Sequence, residues 1–201
     1  MQLVIESATA ACSVALIGPD DAIVAERHEI VGRGHAERLV PMIAELLEGR
    51  RPASILVDCG PGSFTGVRVG LAAAHGLAIG WRVPLAGYSS LALLAAAATD
   101  RAERGVALEG GHGELFVQSY AGDPLASTAN LRSLAPPAAA AIIRADLVIG
   151  SGAAALVAAR GYGRALDALP RAADARLLPP DLRSLPARPI YGRAPDAKPM
   201  K

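Results

Sequence analysis

The sequence predicts an α/β protein built on a mixed sheet, and three observations lead to that prediction. The chain has 201 residues, of which 52% are hydrophobic and 19% charged, so it can bury a sizeable core. Its first half begins with short β-type runs between turn signals and continues with apolar runs of strand and helix length in alternation. Near Thr99 the composition changes, at "TDRAERG". We therefore predict a first lobe at residues 1–98 and a second lobe at residues 99–201.

The elements of the first lobe are predicted from the periodicity of the hydrophobic residues and from the turn residues between the hydrophobic runs. Three strands are predicted at Gln2–Ile5, Cys12–Ile17 and Ala22–Glu26, and the turn signals between them indicate an antiparallel meander. A helix follows at about His35–Glu48. The later elements are a buried strand at "SILVDC", a helix at "FTGVRVGLAAAHGLAIG", a strand at "VPLAGY" and a helix at "SLALLAAAA". The order βββαβαβα is that of the mixed sheet in ribonuclease-H-like and actin-like ATPase domains.

The second half repeats this pattern only faintly. Strands are predicted at "GVALEG", "ELFVQSY" and "LVIGSG", and helices at Pro136–Arg144 and Ala153–Arg160. After Arg160 the sequence is rich in Pro and Arg and has no sustained period. We predict that this part is an extended tail lying over the surface.

Charge and cysteine content exclude several classes of protein. Twenty basic residues face 19 acidic ones, so a net charge of +1 creates no field that would draw the chain to nucleic acid or to an anionic membrane. Cys12 and Cys59 form no CxxC pair, which favours a reduced cytoplasmic compartment. No targeting segment is predicted. The longest uncharged run contains Pro84 and Gly87, so we predict a strand, a turn and a helix there rather than a membrane span. We expect a soluble cytoplasmic protein.

The glycines after the fourth strand match neither of the common phosphate-binding motifs. A P-loop needs lysine after its last glycine, but Gly66 is followed by Val67. A dinucleotide fingerprint needs GxGxxG, whereas Gly60, Gly62 and Gly66 are spaced GxGxxxG. Walker-type phosphate binding and a Rossmann site are both excluded.

The same stretch does predict a tight turn from strand to helix. Pro61 restricts φ, Gly62 permits a positive φ, and Ser63 or Thr65 caps the helix. The favoured interpretation is a capped turn. The alternative is that free N–H groups hold an anion or a nucleotide phosphate, with Arg68 as the cation in support. The contacts in that alternative are Gly60, Gly62, Ser63 and Thr65.

No catalytic residue and no metal site are predicted. Glu6 and Asp58 end the first and fourth strands and can lie side by side, as carboxylates that hold Mg²⁺ do, but a two-metal site needs more acids. We therefore predict solvation at the strand ends. His35 would begin a metal-binding HxxxH on a helix, but the second position is Leu39. No GxSxG motif of a serine hydrolase is present either.

Both long helices of the first lobe have features suited to a partner. The first helix has an apolar arc wider than one sheet face requires, so we expect one stripe in the core and the other, Leu39, Met42 and Leu46, exposed until a partner covers it. The core stripe is Ala36, Val40, Ile43 and Leu47. The second helix repeats small residues at i+4, which lets another backbone approach closely. These faces are Gly66, Gly70 and Ala74, and Ala72, Gly76 and Gly80; one of them packs on the chain's own sheet.

Three segments, "ESATAACSVAL", "GRGHAERLVPMIAELLE" and "GPGSFTGVRVGLAAAHGLA", resemble the bacterial TsaB family. Its members are the non-catalytic, actin-like subunits of the machinery that makes N6-threonylcarbamoyladenosine in tRNA. The resemblance is specific over about residues 1–98 and weaker beyond, where the second lobe looks shortened. Family members usually have Asp-Thr-Ser-Thr on the first strand, where this chain has Glu6–Thr9, and this departure speaks against a phosphate-binding role there.

The resemblance implies a supporting role. The catalytic paralogue TsaD carries the metal site and performs the transfer, a small ATPase, TsaE, joins the complex, and ATP and Mg²⁺ are used by these partners. The isolated chain would need no cofactor and would form a homodimer. It would contact tRNA only as part of the complex. The rival hypothesis is an active enzyme of the same fold, an actin-like phosphotransferase or a metal-dependent nuclease. The expected partner interface is His35, Arg38, Leu39, Met42, Leu46, Gly66, Arg68, Gly70 and Ala74.

Overall fold

The computed structural model describes residues 1–98 and 102–192, and it confirms the order βββαβαβα in the first half. The third strand runs to Ile30, past its predicted end at Glu26, because it pairs with the second strand along its whole length. The elements are β1 (Gln2–Glu6), β2 (Ala11–Ile17), β3 (Ile23–Ile30), α1 (His35–Leu47), β4 (Ser54–Asp58), α2 (Phe64–Trp81), β5 (Leu85–Tyr88) and α3 (Ser90–Ala97).

These strands form one mixed sheet in the order β3-β2-β1-β4-β5. The meander β1–β2–β3 is antiparallel, whereas β4 is parallel to both β1 and β5. Helices α1 and α2 pack on one face, against Leu3, Ile5 and Val57 among others. Helix α3 covers the other face, against Val4 and Leu56. Because both faces are covered, the central strands are apolar at nearly every position.

The second half forms a second mixed sheet in the order β11-β10-β6-β7-β8, with β9 also pairing to β7. Helices α4 and α5 pack on one of its faces, and α3 lies in the core shared with the first sheet. The elements are β6 (Arg104–Glu109), β7 (Leu115–Ala121), β8 (Ala126–Ser127), β9 (Arg132–Leu134), α4 (Pro136–Ile142), β10 (Leu147–Ile149), α5 (Ala153–Arg160) and β11 (Arg164–Leu166). The division into lobes at residue 98 and the shortening of the second lobe stay predictions.

The prediction of an extended surface tail after Arg160 is wrong for part of the described segment. Two 3₁₀ helices follow β11, at Ala172–Leu177 and Pro180–Arg183. The first of them and Leu178 are part of the core against α3 and the first sheet, because its alanines are small enough to pack there. Residues 99–101, at the predicted boundary, and residues 193–201, in the predicted tail, lie outside the described residues.

The chain then returns to the first sheet. Leu185 forms an antiparallel bridge with Gly87 of β5, with N–O distances of 3.0 and 2.7 Å. Further along, the Ile190 amide donates to the carbonyl of Cys59 at 2.8 Å. Residues 185–190 therefore protect an edge of the first sheet. In the part of the chain that the structure describes, no helix is long and apolar enough to span a membrane.

Candidate functional site

Helix α1 presents a different face to the sheet from the one predicted. Leu39, Met42 and Leu46 are 0%, 0% and 1% exposed, so the expectation that they await a partner is wrong. Together with Ile43 and Leu47 they occupy positions i, i+3, i+4, i+7 and i+8, which is one continuous helical face. The sheet takes that whole face because it holds the larger apolar side chains.

The outward side of α1 is the one predicted to be in the core. Val40 is 58% exposed, and Ala36 and Ala44 are exposed as well. Only Ile43 and Leu47 of the predicted core stripe are buried. The expected burial of this stripe is therefore wrong for Ala36 and Val40 and right for Ile43 and Leu47.

His35 and Arg38 have structural partners within the chain. His35 is 4% exposed, and its Nε2 lies 3.0 Å from the carbonyl oxygen of Ala11, which ties the start of α1 to β2. It is not on an accessible surface, contrary to the predicted interface. The guanidinium of Arg38 pairs with Glu29 of β3 at 2.6 Å and with Glu45 of α1 at 2.8 Å. Hydrogen bonding to this guanidinium lowers the pKa of both glutamates.

The inner face of α2 lies on the end of β1. A Cβ at Gly66 would overlap the carbonyl oxygen of Ser7, and one at Gly70 would overlap the Ser7 hydroxyl. The Ser7 hydroxyl also donates to the carbonyl of Gly66 at 2.9 Å, and Ala74 is fully buried. Gly66, Gly70 and Ala74 therefore serve close packing inside the chain, and their assignment to a partner interface is wrong.

The outer face of α2 is open. Gly76 and Gly80 have nothing within 4 Å of an added Cβ, and Ala72 is exposed. Ile79 is 78% exposed, the most exposed of the large hydrophobic residues in the described chain. Since α1 and α2 contact each other on the same face of the sheet, their outward sides adjoin. We call Val40, Ala44, Ala72, Gly76, Ile79 and Gly80 the outer helix surface.

The glycine-rich turn is a capped turn, as the favoured interpretation predicted. Ser63 is the N-cap of α2, and its hydroxyl accepts from the Gly66 amide at 3.2 Å. The positive φ lies at Gly60, at +88°, and not at Gly62 as expected. Gly62 is required for a different reason, because a Cβ there would overlap the carbonyl oxygen of Ala8.

A cleft of about 1030 Å³ opens beside this turn, between residues of the first and second sheets. Gly62 and Ser63 line it, whereas Gly60 and Thr65, the other two residues of the anion hypothesis, are not part of its lining. The second sheet contributes Glu109 and His112. Whether an anion binds at the turn stays a hypothesis.

Arg68 lines the same cleft but is engaged with aromatic rings. Its guanidinium carbon lies 3.2 Å from the ring centroid of Phe64, and its Nη2 donates to the hydroxyl of Tyr191 at 2.8 Å. Phe64 and Tyr191 are 68% and 57% exposed. The stack joins the start of α2 to the C-terminal segment and uses part of the donor capacity that an anion would need.

Glu6 and Asp58 do lie side by side at the ends of β1 and β4, but they are not solvated as predicted. They are 0% and 2% exposed, because Tyr88 and α3 cover the strand ends. Burial and then the neighbouring Asp58 raise the pKa of Glu6, and burial raises the pKa of Asp58. Among the described residues no three His, Cys, Asp or Glu side chains are grouped so that they could hold a metal ion.

A family model described as TsaD, tRNA N6-adenosine threonylcarbamoyltransferase, matches residues 24–167. The tRNA threonylcarbamoyladenosine biosynthesis protein TsaB of Escherichia coli is 40% identical over 98 residues, which are 46% of this chain and 42% of that protein. An uncharacterized protein of Mycobacterium tuberculosis is 32% identical over 214 residues, covering 98% of this chain and 94% of that protein. The chain thus matches less than half the length of the E. coli relative.

Two solved structures from Pseudomonas aeruginosa are similar over nearly the whole chain. YeaZ has a TM-score of 0.80 at 28% identity, covering 94% of this chain and 98% of that chain. An uncharacterized protein with similarity to peptidase YEAZ has a TM-score of 0.80 at 27% identity, covering 96% of this chain and 99% of that chain. The predicted actin-like ATPase fold, with its two mixed sheets, is confirmed.

Proposed function

The chain belongs to the TsaB family, and on that premise we propose that it is a non-catalytic subunit in the synthesis of N6-threonylcarbamoyladenosine in tRNA. In this role it binds and supports a catalytic paralogue of the TsaD type, and a small ATPase of the TsaE type joins the complex. The observation that carries the proposal is the outer helix surface, which is open and consists mostly of small residues around the exposed Ile79.

The outer helix surface suits a pair of helices from another protein. Packed helices lie about 8–10 Å apart, and the short distances require small residues at the contact. Gly76 and Gly80 supply such positions in the middle and at the end of α2, and Ile79 between them supplies a large side chain to bury. Full burial of one such side chain is worth about 1.5–3 kcal/mol.

The kind of partner follows from the family. A paralogue of the same fold carries two helices in the equivalent place, so the contact can be arranged about a pseudo-twofold axis. A second copy of this chain meets the same geometric conditions, so we propose a homodimer when the paralogue is missing. The corrected interface therefore keeps α1 and α2 but moves from their inner faces to their outer faces.

A supporting role also agrees with the surroundings of the polar residues. Glu6 and Asp58, the acids at the strand ends, are buried and do not line the cleft. Arg68 is held between Phe64 and Tyr191. The HxxxH pattern on α1 lacks its second histidine, since that position is the buried Leu39.

The test is binding of the TsaD paralogue from the same organism to purified Ile79→Asp protein. Ile142→Asp is the matched control, because Ile142 is an exposed isoleucine on a helix of the second sheet. We expect Ile79→Asp to weaken binding at least about tenfold, at an unchanged melting temperature, and Ile142→Asp to bind like the wild type. Equal binding by both variants would show that the outer helix surface is not the interface.

The function needs its own readout. Mass spectrometry of tRNA nucleosides should show loss of N6-threonylcarbamoyladenosine when this chain is depleted, and recovery with the wild type but not with Ile79→Asp. Unchanged nucleoside levels after depletion would refute the role in this modification. Turnover of Mg-ATP or cleavage of nucleic acid by the chain alone would favour the rival reading of an active enzyme.

A further inference from the structure

Glu6 and Asp58 form a buried pair on the face of the first sheet that α3 covers. Their strands are parallel neighbours, with Ile5 opposite Val57, so the two acids emerge together from the sheet. Both side chains are buried, at 0% and 2% exposure. Two ionised carboxylates placed together away from water would repel each other strongly, so this arrangement favours a state in which one of them is protonated.

All four carboxyl oxygens of the pair lie within hydrogen-bonding distance of neutral donors. Asp58 accepts from the Gly60 amide and from the Ser90 hydroxyl, both at 2.7 Å. Glu6 accepts from the Ala8 amide at 2.9 Å, and the Tyr88 hydroxyl lies 3.2 Å from its Oε2.

The titratable groups that face the pair offer no positive charge. Tyr88 faces it from β5 and Cys59 follows Asp58 directly, while Cys12 of β2 interacts more weakly with Glu6. Helix α3 contributes the hydroxyl of Ser90. Within the described residues no arginine or histidine hydrogen-bonds to either acid. A second negative charge here would be buried without compensation.

The same hydrogen bonds hold three loops together. Glu6 positions Ala8, whose carbonyl accepts from the Ser63 amide at 2.6 Å. Asp58 positions Gly60, whose carbonyl accepts from the Ser90 amide at 3.1 Å. The ends of β1 and β4 are thereby joined to the N-termini of α2 and α3.

We propose that Glu6 and Asp58 hold one proton between them and that this proton is a latch, which keeps the three strand-end loops and the N-terminus of α2 closed. When the pair loses the proton at alkaline pH, repulsion between the two carboxylates separates β1 from β4 at this end and frees the Ser63 amide. The latch is a property of this chain's own fold and does not depend on any partner.

The first test counts protons. Unfolding by calorimetry near neutral pH, in buffers of different ionisation enthalpy, gives the number of protons released. Wild-type protein should release about one proton more than Glu6→Gln, because the unfolded carboxyl ionises near its ordinary pKa while glutamine carries no such proton. Gln at position 6 keeps both a donor for Asp58 and an acceptor for the Ala8 amide. Equal proton release would overturn the shared proton.

The second test follows the loops. Amide hydrogen exchange from about pH 6 to about pH 9 should show the Ser63 and Gly66 amides losing protection in the wild type, relative to the Val14 amide in the middle of β2. In Glu6→Gln the protection should not depend on pH. Constant relative protection in the wild type would overturn the latch. If Glu6→Gln does not fold, Asp58→Asn is used instead, because it removes the other acid. In the wild type, the infrared band of a protonated carboxylic acid near neutral pH shows directly whether the pair holds a proton, and absence of that band would overturn the proposal.

Discussion

Gly66 of α2 lies so close to the carbonyl oxygen of Ser7 that a methyl group on its Cα would overlap that oxygen. The start of the helix therefore lies directly on the backbone that follows β1, and the Ser7 hydroxyl adds a hydrogen bond to the Gly66 carbonyl at 2.9 Å. Ten residues along the same helix, Gly76 has nothing within 4 Å of an added Cβ. The two glycines have opposite surroundings in one element.

Gly66→Ala should accordingly destabilise the fold and Gly76→Ala should not. Overpacking against backbone costs about 1–3 kcal/mol or more, since the carbonyl of Ser7 has little room to move. Alanine in place of an exposed helical glycine stabilises by about 0.5–1 kcal/mol. The free energy of unfolding in urea measures both. If Gly66→Ala were neutral, the contact between α2 and β1 would be looser than described.

Leu39→Ala and Val40→Ala test which face of α1 meets the sheet. Leu39 is fully buried, so its truncation should cost about 2–5 kcal/mol in the free energy of unfolding. Val40 is 58% exposed, and its truncation should change that free energy by no more than about 0.5 kcal/mol. If Val40→Ala cost more stability than Leu39→Ala, the face of α1 first predicted to be in the core would be the buried one.

Leu178→Ala should destabilise the protein far more than Leu177→Ala. Leu178 is 2% exposed in the core between the sheets, and Leu177 beside it is 41% exposed. We expect losses of about 2–5 kcal/mol and less than about 1 kcal/mol respectively, measured by thermal unfolding. Similar small effects would mean that the segment after Arg160 is peripheral.

Cys12 and Cys59 should not react with iodoacetamide in the folded protein near pH 8. Both thiols are fully buried, and burial raises the pKa of Cys12 to about 11 and that of Cys59 to about 12. Alkylation needs the thiolate, so it should proceed only through unfolding and reach both residues in urea. Mass spectrometry of the intact protein counts the added groups. Rapid labelling of either thiol without urea would contradict the burial.

The sequence alone determined the order of the elements in the first half, because hydrophobic period and turn residues are local properties of the chain. It also predicted that the glycine-rich stretch is a turn capped by Ser63 or Thr65, and that Glu6 and Asp58 can lie side by side at the strand ends. These conclusions needed only residue type, spacing and the rule that parallel strands end at one edge of a sheet.

The tertiary structure decided what covers each of these elements. Leu39 and Val40 are adjacent in the sequence and both apolar, and only the position of the sheet makes one buried and the other exposed. The acids at the strand ends are buried because Tyr88 and α3 exclude water from them. Ala172 lies in the core because the chain returns to the first sheet, where its amide donates to the Ser13 hydroxyl at 3.0 Å. Burial is set by contacts between residues far apart in sequence, and a local pattern contains no information about them.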